Sequence, residues 1–367
     1  MPPRLQAIYR IRSDARSIES RARALAVEQS VEMPVTAITD DFVGAEIVGR
    51  VEWIREPEAG LFEVAVSLSA ATVDLDAGQL INMLFGNSSL QDDVVLWDIE
   101  LPPDMMASFG GPRHGLRGLR QRAGAAGRAL TCSALKPQGL PAAALADLAA
   151  RFAQGGIDYI KDDHGLADQA YSPFAERVRE IAASLGAVAR EGAPARYAPS
   201  LSGDLSTMER QIGCATAAGI DTVLIAPMVA GLANFHRLVK DHPGVAFIAH
   251  PSMAGASRIA PPCLLGKLFR ILGADAVVFP NHGGRFGYSP ETCRALAGAA
   301  LTNSDGLRPC VPVPAGGMTR DRVAEMLEFY GPDVMLLIGG NLLEARQHLV
   351  EATAAFVAEV HGHRYGT

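Results

Sequence analysis

The chain has 367 residues, which is too long for one ordinary compact domain and suits two. Hydrophobic residues make up 49% of it and charged residues 20%, so the chain can bury a sizeable core and is not globally disordered. The formal net charge of -7 argues against nucleic acid or an anionic membrane as a partner, because no overall positive field attracts phosphate groups.

The N-terminal 120 residues predict an α+β domain. A strand at LQAIYRIR precedes a helix over 14–29, two strands follow around GRVEWIRE and LFEVAVSLS, and a helix follows at AGQLINMLFG. The Gly- and Arg-rich stretch 110–128 is predicted to join this domain to the rest. We therefore divide the chain into residues 1–120 and 121–367.

The N-terminal segment contains no apolar signal core, and the most apolar stretch, near 219–235, is interrupted by Asp221, Pro227 and Gly231. The five cysteines are scattered without CxxC spacing, which is typical of reduced thiols. We expect a soluble, cytoplasmic protein with no membrane partner.

From residue 129 onward, short apolar strands alternate with amphipathic helices. Ser172 is a candidate N-cap of the helix after the second strand. Eight strand-then-helix units favour a closed (β/α)₈ TIM barrel over an open doubly wound sheet. The predicted strands are 129–135, 157–161, 196–200, 222–227, 245–250, 275–279, 310–314 and 334–339.

Polar side chains follow the second barrel strand, in the run IDYIKDDHG. Because side chains alternate along a strand, Lys161 and Asp163 project to one side and Asp162 to the other. With His164 they can converge on a cation such as Mg²⁺, provided that CO₂ converts Lys161 to a carbamate that supplies oxygen ligands. The alternative is a buried lysine paired with an aspartate.

Two glycine pairs, Gly316–Gly317 and Gly339–Gly340, follow the last two strands. Each pair lets the backbone approach a ligand and precedes a predicted helix, and the loops after strands seven and eight are the usual phosphate site of such barrels. We expect the four amides to bind one phosphate. The alternative is that they are ordinary helix-capping turns.

Two basic residues also lie at or just after the ends of barrel strands. Lys136 ends the first strand, where burial can lower its pKa enough for it to act as a base. Arg285 lies in the glycine-flanked loop NHGGRFG after strand six, which can close over a ligand. The alternatives are a surface lysine and a solvated arginine.

These segments together resemble the large chain of RuBisCO. The run GGIDYIKDDH is similar to the signature around that family's carbamylated lysine, and the resemblance extends through FGGPRHGL, GRALTCSALKP, GGRFG, PVPAGGM and IGGNL. It implies an α+β domain followed by an eight-stranded barrel. It also implies a homodimer in which the N-terminal domain of one protomer completes the site of its partner.

The resemblance also implies roles for single residues. Lys161 matches the carbamylated lysine and Asp163 a metal ligand, whereas His164 stands where RuBisCO has a glutamate ligand. Lys136 matches the lysine that acts as the base in enolisation, and His250 matches a histidine of the site.

The remaining matches concern the substrate. Gly317, Gly339 and Gly340 match backbone donors to one phosphate. Glu28 and Asn82 match the glutamate and asparagine that the partner's N-terminal domain contributes, with a surface or helix-capping role as the alternative.

The departures from the family pattern affect the second phosphate and CO₂. Pro251, Val278 and Ala315 stand where RuBisCO binds the second phosphate through arginine, histidine and serine side chains, and none of the three can do so. Arg285 replaces the loop lysine that stabilises CO₂, and the two side chains are not interchangeable. CO₂ fixation is therefore not expected.

The expected function is that of a RuBisCO-like, Mg²⁺-dependent enzyme that forms an enediolate from a monophosphorylated ketose. We favour an isomerase or enolase of the kind that acts in methylthio-sugar phosphate salvage. One alternative is a decarboxylase of a 3-oxo sugar-acid phosphate. Another is a catalytically inactive relative that only binds.

Overall fold

The computed structural model describes residues 3–189, 195–303 and 306–365. Its N-terminal part is an antiparallel sheet in the order β2–β3–β1–β4, with two helices packed on it. The central strands β1 and β3 are mostly buried, whereas the edge strand β2 is mostly exposed. The elements are β1 (Arg4–Arg12), α1 (Ile18–Glu28), β2 (Arg50–Glu58), β3 (Leu61–Ser69), α2 (Ala77–Phe85), β4 (Val94–Glu100) and α3 (Pro103–Phe109).

The predicted elements of this part are confirmed, but β4 and α3 were not predicted. β4 links the N-terminal sheet to the rest of the chain, since Leu96 N–H donates to the Arg258 carbonyl and Ala260 N–H donates to the Leu96 carbonyl, both at 2.9 Å. The sheet is therefore braced against the loop that follows β9 of the barrel.

All eight predicted barrel strands are present, with boundaries that differ by a few residues. They are β5 (Leu130–Leu135), β6 (Tyr159–Asp162), β7 (Arg196–Ala198), β8 (Thr222–Ile225), β9 (Ala246–Ala249), β10 (Ala276–Pro280), β11 (Val311–Ala315) and β12 (Met335–Leu337). The helices are α4 (Gly115–Ala123), α5 (Ala142–Gln154), α6 (Phe174–Val188), α7 (Leu205–Ala217), α8 (Pro227–Ala230), α9 (Leu232–Asp241), α10 (Phe269–Ile271), α11 (Pro290–Leu301), α12 (Val323–Tyr330), α13 (Gly340–Leu343) and α14 (Leu349–Gly362). Among the helices of the described residues, none has both the length and the apolar character that a bilayer span requires.

The parallel strands form two sheets, β12–β5–β6–β7 and β8–β9–β10–β11. One seam is closed by Leu224, whose N–H donates to the Pro199 carbonyl at 2.9 Å and whose carbonyl accepts from Leu201 N–H at 2.8 Å. At the other seam β11 lies beside β12. Because each strand is covered by helices outside and by side chains inside, the barrel strands are buried on both faces.

The stretch 110–128 differs from the expected join. It contains α4, whose Leu119 and Ala123 pack with the side chains inside the barrel. The N–H groups of His114 and Gly115 both donate to the buried Asp275 carboxylate at 2.7 Å. The stretch is thus part of the barrel floor, and the division at residue 120 stays a prediction.

Candidate active site

A cavity of about 730 Å³ opens at the carboxyl ends of the barrel strands. Nine of the predicted site residues line it: Lys136, Lys161, His164, His250, Arg285, Gly316, Gly317, Gly339 and Gly340. Asp163 adjoins it through an ion pair with Lys136. These residues come from six different strand ends, so the barrel brings together groups that are far apart in sequence.

Lys161 is buried in the cavity wall, with 4% of its surface exposed. Its amine donates to the Asp162 carbonyl at 2.8 Å, and burial lowers its pKa to about 8. The alternative that Lys161 is paired with an aspartate is wrong, because the Asp162 carboxylate binds Arg177 and that of Asp163 binds Lys136.

Lys136, Asp163 and His164 form a connected polar group. The Lys136 amine contacts one carboxylate oxygen of Asp163, and His164 Nδ1 lies 3.0 Å from the other. Burial, and then the charge of Arg285, lower the pKa of Lys136. Burial also lowers the pKa of His164, assisted by Lys161 and Lys136, so its imidazole favours the neutral form.

Binding of a divalent cation depends on the donor atoms around Lys161. Within the described residues, no three His, Cys, Asp or Glu side chains form a ready metal site, so a cation here requires oxygen from a carbamate on Lys161. The lowered pKa of Lys161 favours the neutral amine, which is the form that attacks CO₂ to give a carbamate. His164 Nδ1–H can donate to Asp163, which leaves Nε2 as a possible ligand. The residues fit Mg²⁺ on these terms, although an imidazole is an unusual partner for it.

His250 is held beside His164. The two rings are stacked, with their centroids 4.4 Å apart and an interplanar angle of 8°. Ser252 N–H donates to His250 Nδ1, so the neutral ring carries its proton on Nε2. Burial, followed by the charges of Lys161, His164 and Lys136, lowers the pKa of His250 to about 2. His250 is therefore a neutral hydrogen-bond donor in the cavity wall.

The two glycine pairs lie in the same wall. Gly316 and Gly317 have φ of 82° and 104°, a conformation that favours glycine. None of the four amides donates to a protein acceptor within the described residues, so all are available to a ligand. The expected helix starts are only partly right. Five residues separate Gly317 from α12, and the last three of them form a 3₁₀ turn at Arg320–Arg322, whereas Gly340 begins the four-residue α13.

The residues at the positions of the family's second phosphate site, Pro251, Val278 and Ala315, also line the cavity. Val278 and Ala315 are buried. None of the three carries a charged or hydrogen-bonding side chain. This part of the wall therefore suits an apolar group better than a phosphate.

Glu28 and Asn82 do not reach the cavity of their own chain. The Glu28 carboxylate accepts from Asn87 Nδ2 at 3.0 Å, and Asn82 is exposed, with its amide donating to Gln79 at 3.3 Å. The segment after α1 exposes Met33, Val35 and Phe42. These observations leave the predicted role in a partner's site as a proposal.

Sequence reasoning missed several residues of the wall. Phe286 and Tyr288 share the loop of Arg285, and Met318, Thr319 and Asn341 directly follow the glycine pairs. Their only sequence signal is proximity to those motifs. Asn341 also connects the two glycine loops, since its side-chain oxygen accepts from Arg320 N–H at 3.3 Å.

Comparison with known proteins identifies the family. Residues 115–358 match the model of the ribulose bisphosphate carboxylase large chain, catalytic domain. The chain belongs to the RuBisCO large-chain family. Within it, the chain is 62% identical over 364 residues to a 5-methylthioribulose-1-phosphate isomerase of Rhodospirillum rubrum, covering 99% of this chain and 97% of that protein.

Other members of the RuBisCO family match over the full length. A RuBisCO-like protein 1 of Rhodopseudomonas palustris is 56% identical, with 99% of each chain covered. The crystal structure of a RuBisCO-like protein from the same species superposes with a TM-score of 0.93 at 52% identity, covering 100% of both chains. The expected fold and the RuBisCO-like assignment are confirmed.

Proposed function

We propose that this RuBisCO-like protein is a Mg²⁺-dependent isomerase that enolises a monophosphorylated ketose with an apolar, thioether-bearing end, such as 5-methylthioribulose 1-phosphate. The proposal rests on one observation: one part of the cavity wall offers backbone N–H donors, and another part is apolar. Free glycine amides suit a single phosphate, whereas Val278 and Ala315 suit an apolar group. The 62% identity to a protein named for that isomerisation supports the substrate class.

Lys136 is the proposed base. It lines the cavity close to the glycine loops, and burial lowers its pKa so that more of the amine is neutral. The amine takes the proton from the carbon next to the substrate carbonyl. The electron pair of that C–H bond forms the C=C bond of the enediolate, and the π pair of the carbonyl moves onto its oxygen. Asp163 then holds the resulting ammonium. When the former carbonyl carbon takes up a proton, the hydroxyl on the neighbouring carbon gives up its proton and becomes the new carbonyl, so the product is an isomer with no net gain or loss of atoms.

The cation would be held by a carbamate on Lys161, by Asp163 and by His164. When bound, Mg²⁺ supplies positive charge that stabilises the oxyanion of the enediolate. His250 can donate a hydrogen bond from Nε2 towards the same charge. All three predicted ligands and the base thus serve one chemical step.

A homodimer is part of the proposal, with Glu28 and Asn82 of one protomer reaching the partner's site. The exposed apolar side chains beside Glu28 support this, because a partner would cover them. Sedimentation at micromolar concentration tests it.

We also propose a cytoplasmic location, since all five cysteines are free thiols.

Replacement of the base provides the test. Lys136→Ala is expected to lower exchange of the substrate α-proton in D₂O by about 10²- to 10⁴-fold, as is typical for loss of a general base. Lys267→Ala is the matched control, because Lys267 is also an ion-paired, partly exposed lysine (31%, against 37% for Lys136) but pairs with Asp98. Unchanged exchange in Lys136→Ala would exclude Lys136 as the base.

One observation favours a second function. Arg285 lines the cavity and is exposed, so it can bind a substrate carboxylate. A decarboxylase of a 3-oxo sugar-acid phosphate would release CO₂ from such a substrate, and the isomerase would not. A relative that only binds would show no stabilisation by Mg²⁺ and bicarbonate in a thermal melt.

A further inference from the structure

A buried ionic network lies directly behind the strand that carries Lys161. The side chains of Asp162 and Arg177 are both 0% exposed, and Arg177 Nε donates to one Asp162 oxygen at 3.1 Å. Ser200 N–H donates to the same oxygen at 3.0 Å, and the Tyr197 hydroxyl donates to the other at 2.7 Å. The network therefore connects β6 to both α6 and β7.

Arg177 also holds the loop that follows β6. Its remaining nitrogens donate to the carbonyls of Ser172 at 2.6 Å and Ala167 at 2.8 Å. This loop, residues 163–173, begins with Asp163 and His164. One guanidinium thus binds the end of the strand and the far part of the loop at the same time.

The geometry of a strand couples this network to the cavity. Asp162 lies between Lys161 and Asp163, and its side chain points away from the cavity because successive side chains alternate. Its carbonyl also accepts from the Lys161 amine. Any rotation that moves the Asp162 carboxylate therefore turns both neighbours.

The network is also costly to disturb. The Asp162 carboxylate is fully buried, and Arg177, Ser200 and Tyr197 supply its hydrogen bonds. A guanidinium remains protonated in proteins, so the pair is stable only while both charges face each other. With a weaker partner than Arg177, the charge of the buried Asp162 carboxylate would no longer be fully compensated. The end of β6 would then move to relieve this unfavourable burial.

We propose that Arg177 is a positioning residue of the cation site: it fixes Asp162 from behind and the loop 163–173 from the side, and so holds Lys161 and Asp163 facing the cavity. This role rests on the proposed function, because it assumes that these residues bind a divalent cation. Groups behind metal ligands typically change metal affinity by about 10- to 100-fold when replaced.

The test compares two buried arginines. Arg177→Lys keeps the positive charge but cannot reach three acceptors in a planar fork. Arg270→Lys is the matched control: Arg270 is 2% exposed and donates to the carbonyls of Thr302, Leu307 and Arg308, beside the segment that precedes β11. In each protein, Mn²⁺ binding is measured by electron paramagnetic resonance with bicarbonate present, and the Lys161 carbamate by NMR with ¹³C-bicarbonate.

We expect Arg177→Lys to weaken Mn²⁺ binding by about 10- to 100-fold. Arg270→Lys should lower the melting temperature but bind Mn²⁺ as the wild type does. Tyr197→Phe removes one hydroxyl from the network and should shift Mn²⁺ affinity in the same direction by less, which keeps the test open if Arg177→Lys does not fold.

Two negative results have different meanings. Equal Mn²⁺ affinity in the wild type and in the folded Arg177 or Tyr197 variant would overturn the positioning role alone. A wild-type protein that binds no Mn²⁺ and forms no carbamate would overturn the proposed cation site, and this role with it. Neither result depends on knowing the substrate.

Discussion

Gly317→Ala is expected to weaken phosphate binding far more than Gly340→Ala, although each adds one methyl group to the same wall. Gly317 has φ of 104°, and a Cβ there would lie 3.0 Å from Arg285 N and 3.2 Å from Gly284 Cα. Backbone atoms cannot swing aside as a side chain can, so the loop must move. A Cβ at Gly340 would meet no atom within 4 Å.

The size of the expected loss in phosphate affinity follows from the backbone conformation of Gly317. An L-residue in such a conformation costs about 1–3 kcal/mol, which a loop movement relieves. If that movement withdraws one amide from the phosphate, a hydrogen bond to a charged group worth about 1.5–3 kcal/mol is lost. The dissociation constant for phosphate should then rise by about 10- to 100-fold.

Calorimetry with inorganic phosphate measures this change directly, and KM for the phosphorylated substrate provides a second measurement. A thermal melt of each variant shows whether the fold is retained. Equal phosphate affinity in Gly317→Ala and the wild type, or an equal loss in both glycine variants, would refute the assignment of the Gly317 amide to the phosphate.

Two further predictions concern the apolar wall and the N-terminal sheet. Val278→Ala removes two carbons from the wall, so KM for a thioether substrate should rise by up to about 15-fold at about 0.8 kcal/mol per carbon. KM for an analogue without the thioether should change little, and equal changes would argue against this wall as the thioether site. Arg21 donates to Asp93 at 3.0 Å and lowers the pKa of Asp93, so the pair stabilises the fold above the ordinary pKa of aspartate and loses that effect as the pH falls. Melting temperatures of Asp93→Asn and the wild type should therefore differ at pH 7 and converge below about pH 4, whereas a constant difference would contradict this account.

Much of the fold could be predicted because its signals are local. The eight barrel strands are short apolar runs between helical segments, and each lies within a few residues of its expected position. The alternation of side chains placed Lys161 in the cavity and Asp162 behind it, as found. The glycine pairs were also found in the cavity wall.

Prediction from local sequence failed where contacts with residues farther along the chain decide the structure. Ser172 was expected to cap α6, but Pro173 precedes the helix and Phe174 N–H is bound by the Asp168 carboxylate at 2.7 Å. The Ser172 carbonyl instead accepts a hydrogen bond from Arg177. The stretch 110–128 looked like a joining segment because of its glycines and arginines, yet the apolar side of α4 packs in the barrel floor.

The pattern of the chain predicted the order of the eight barrel strands, the face on which each strand residue lies, and the residue types available at the strand ends. Which charges meet depends on how the elements pack. Lys136 pairs with Asp163 and not with a neighbour in sequence, and Lys161 keeps no carboxylate partner within the described residues. The reason is physical: burial and the distance between charges depend on all the elements packed around a group, and these set the pKa values on which the proposed chemistry depends.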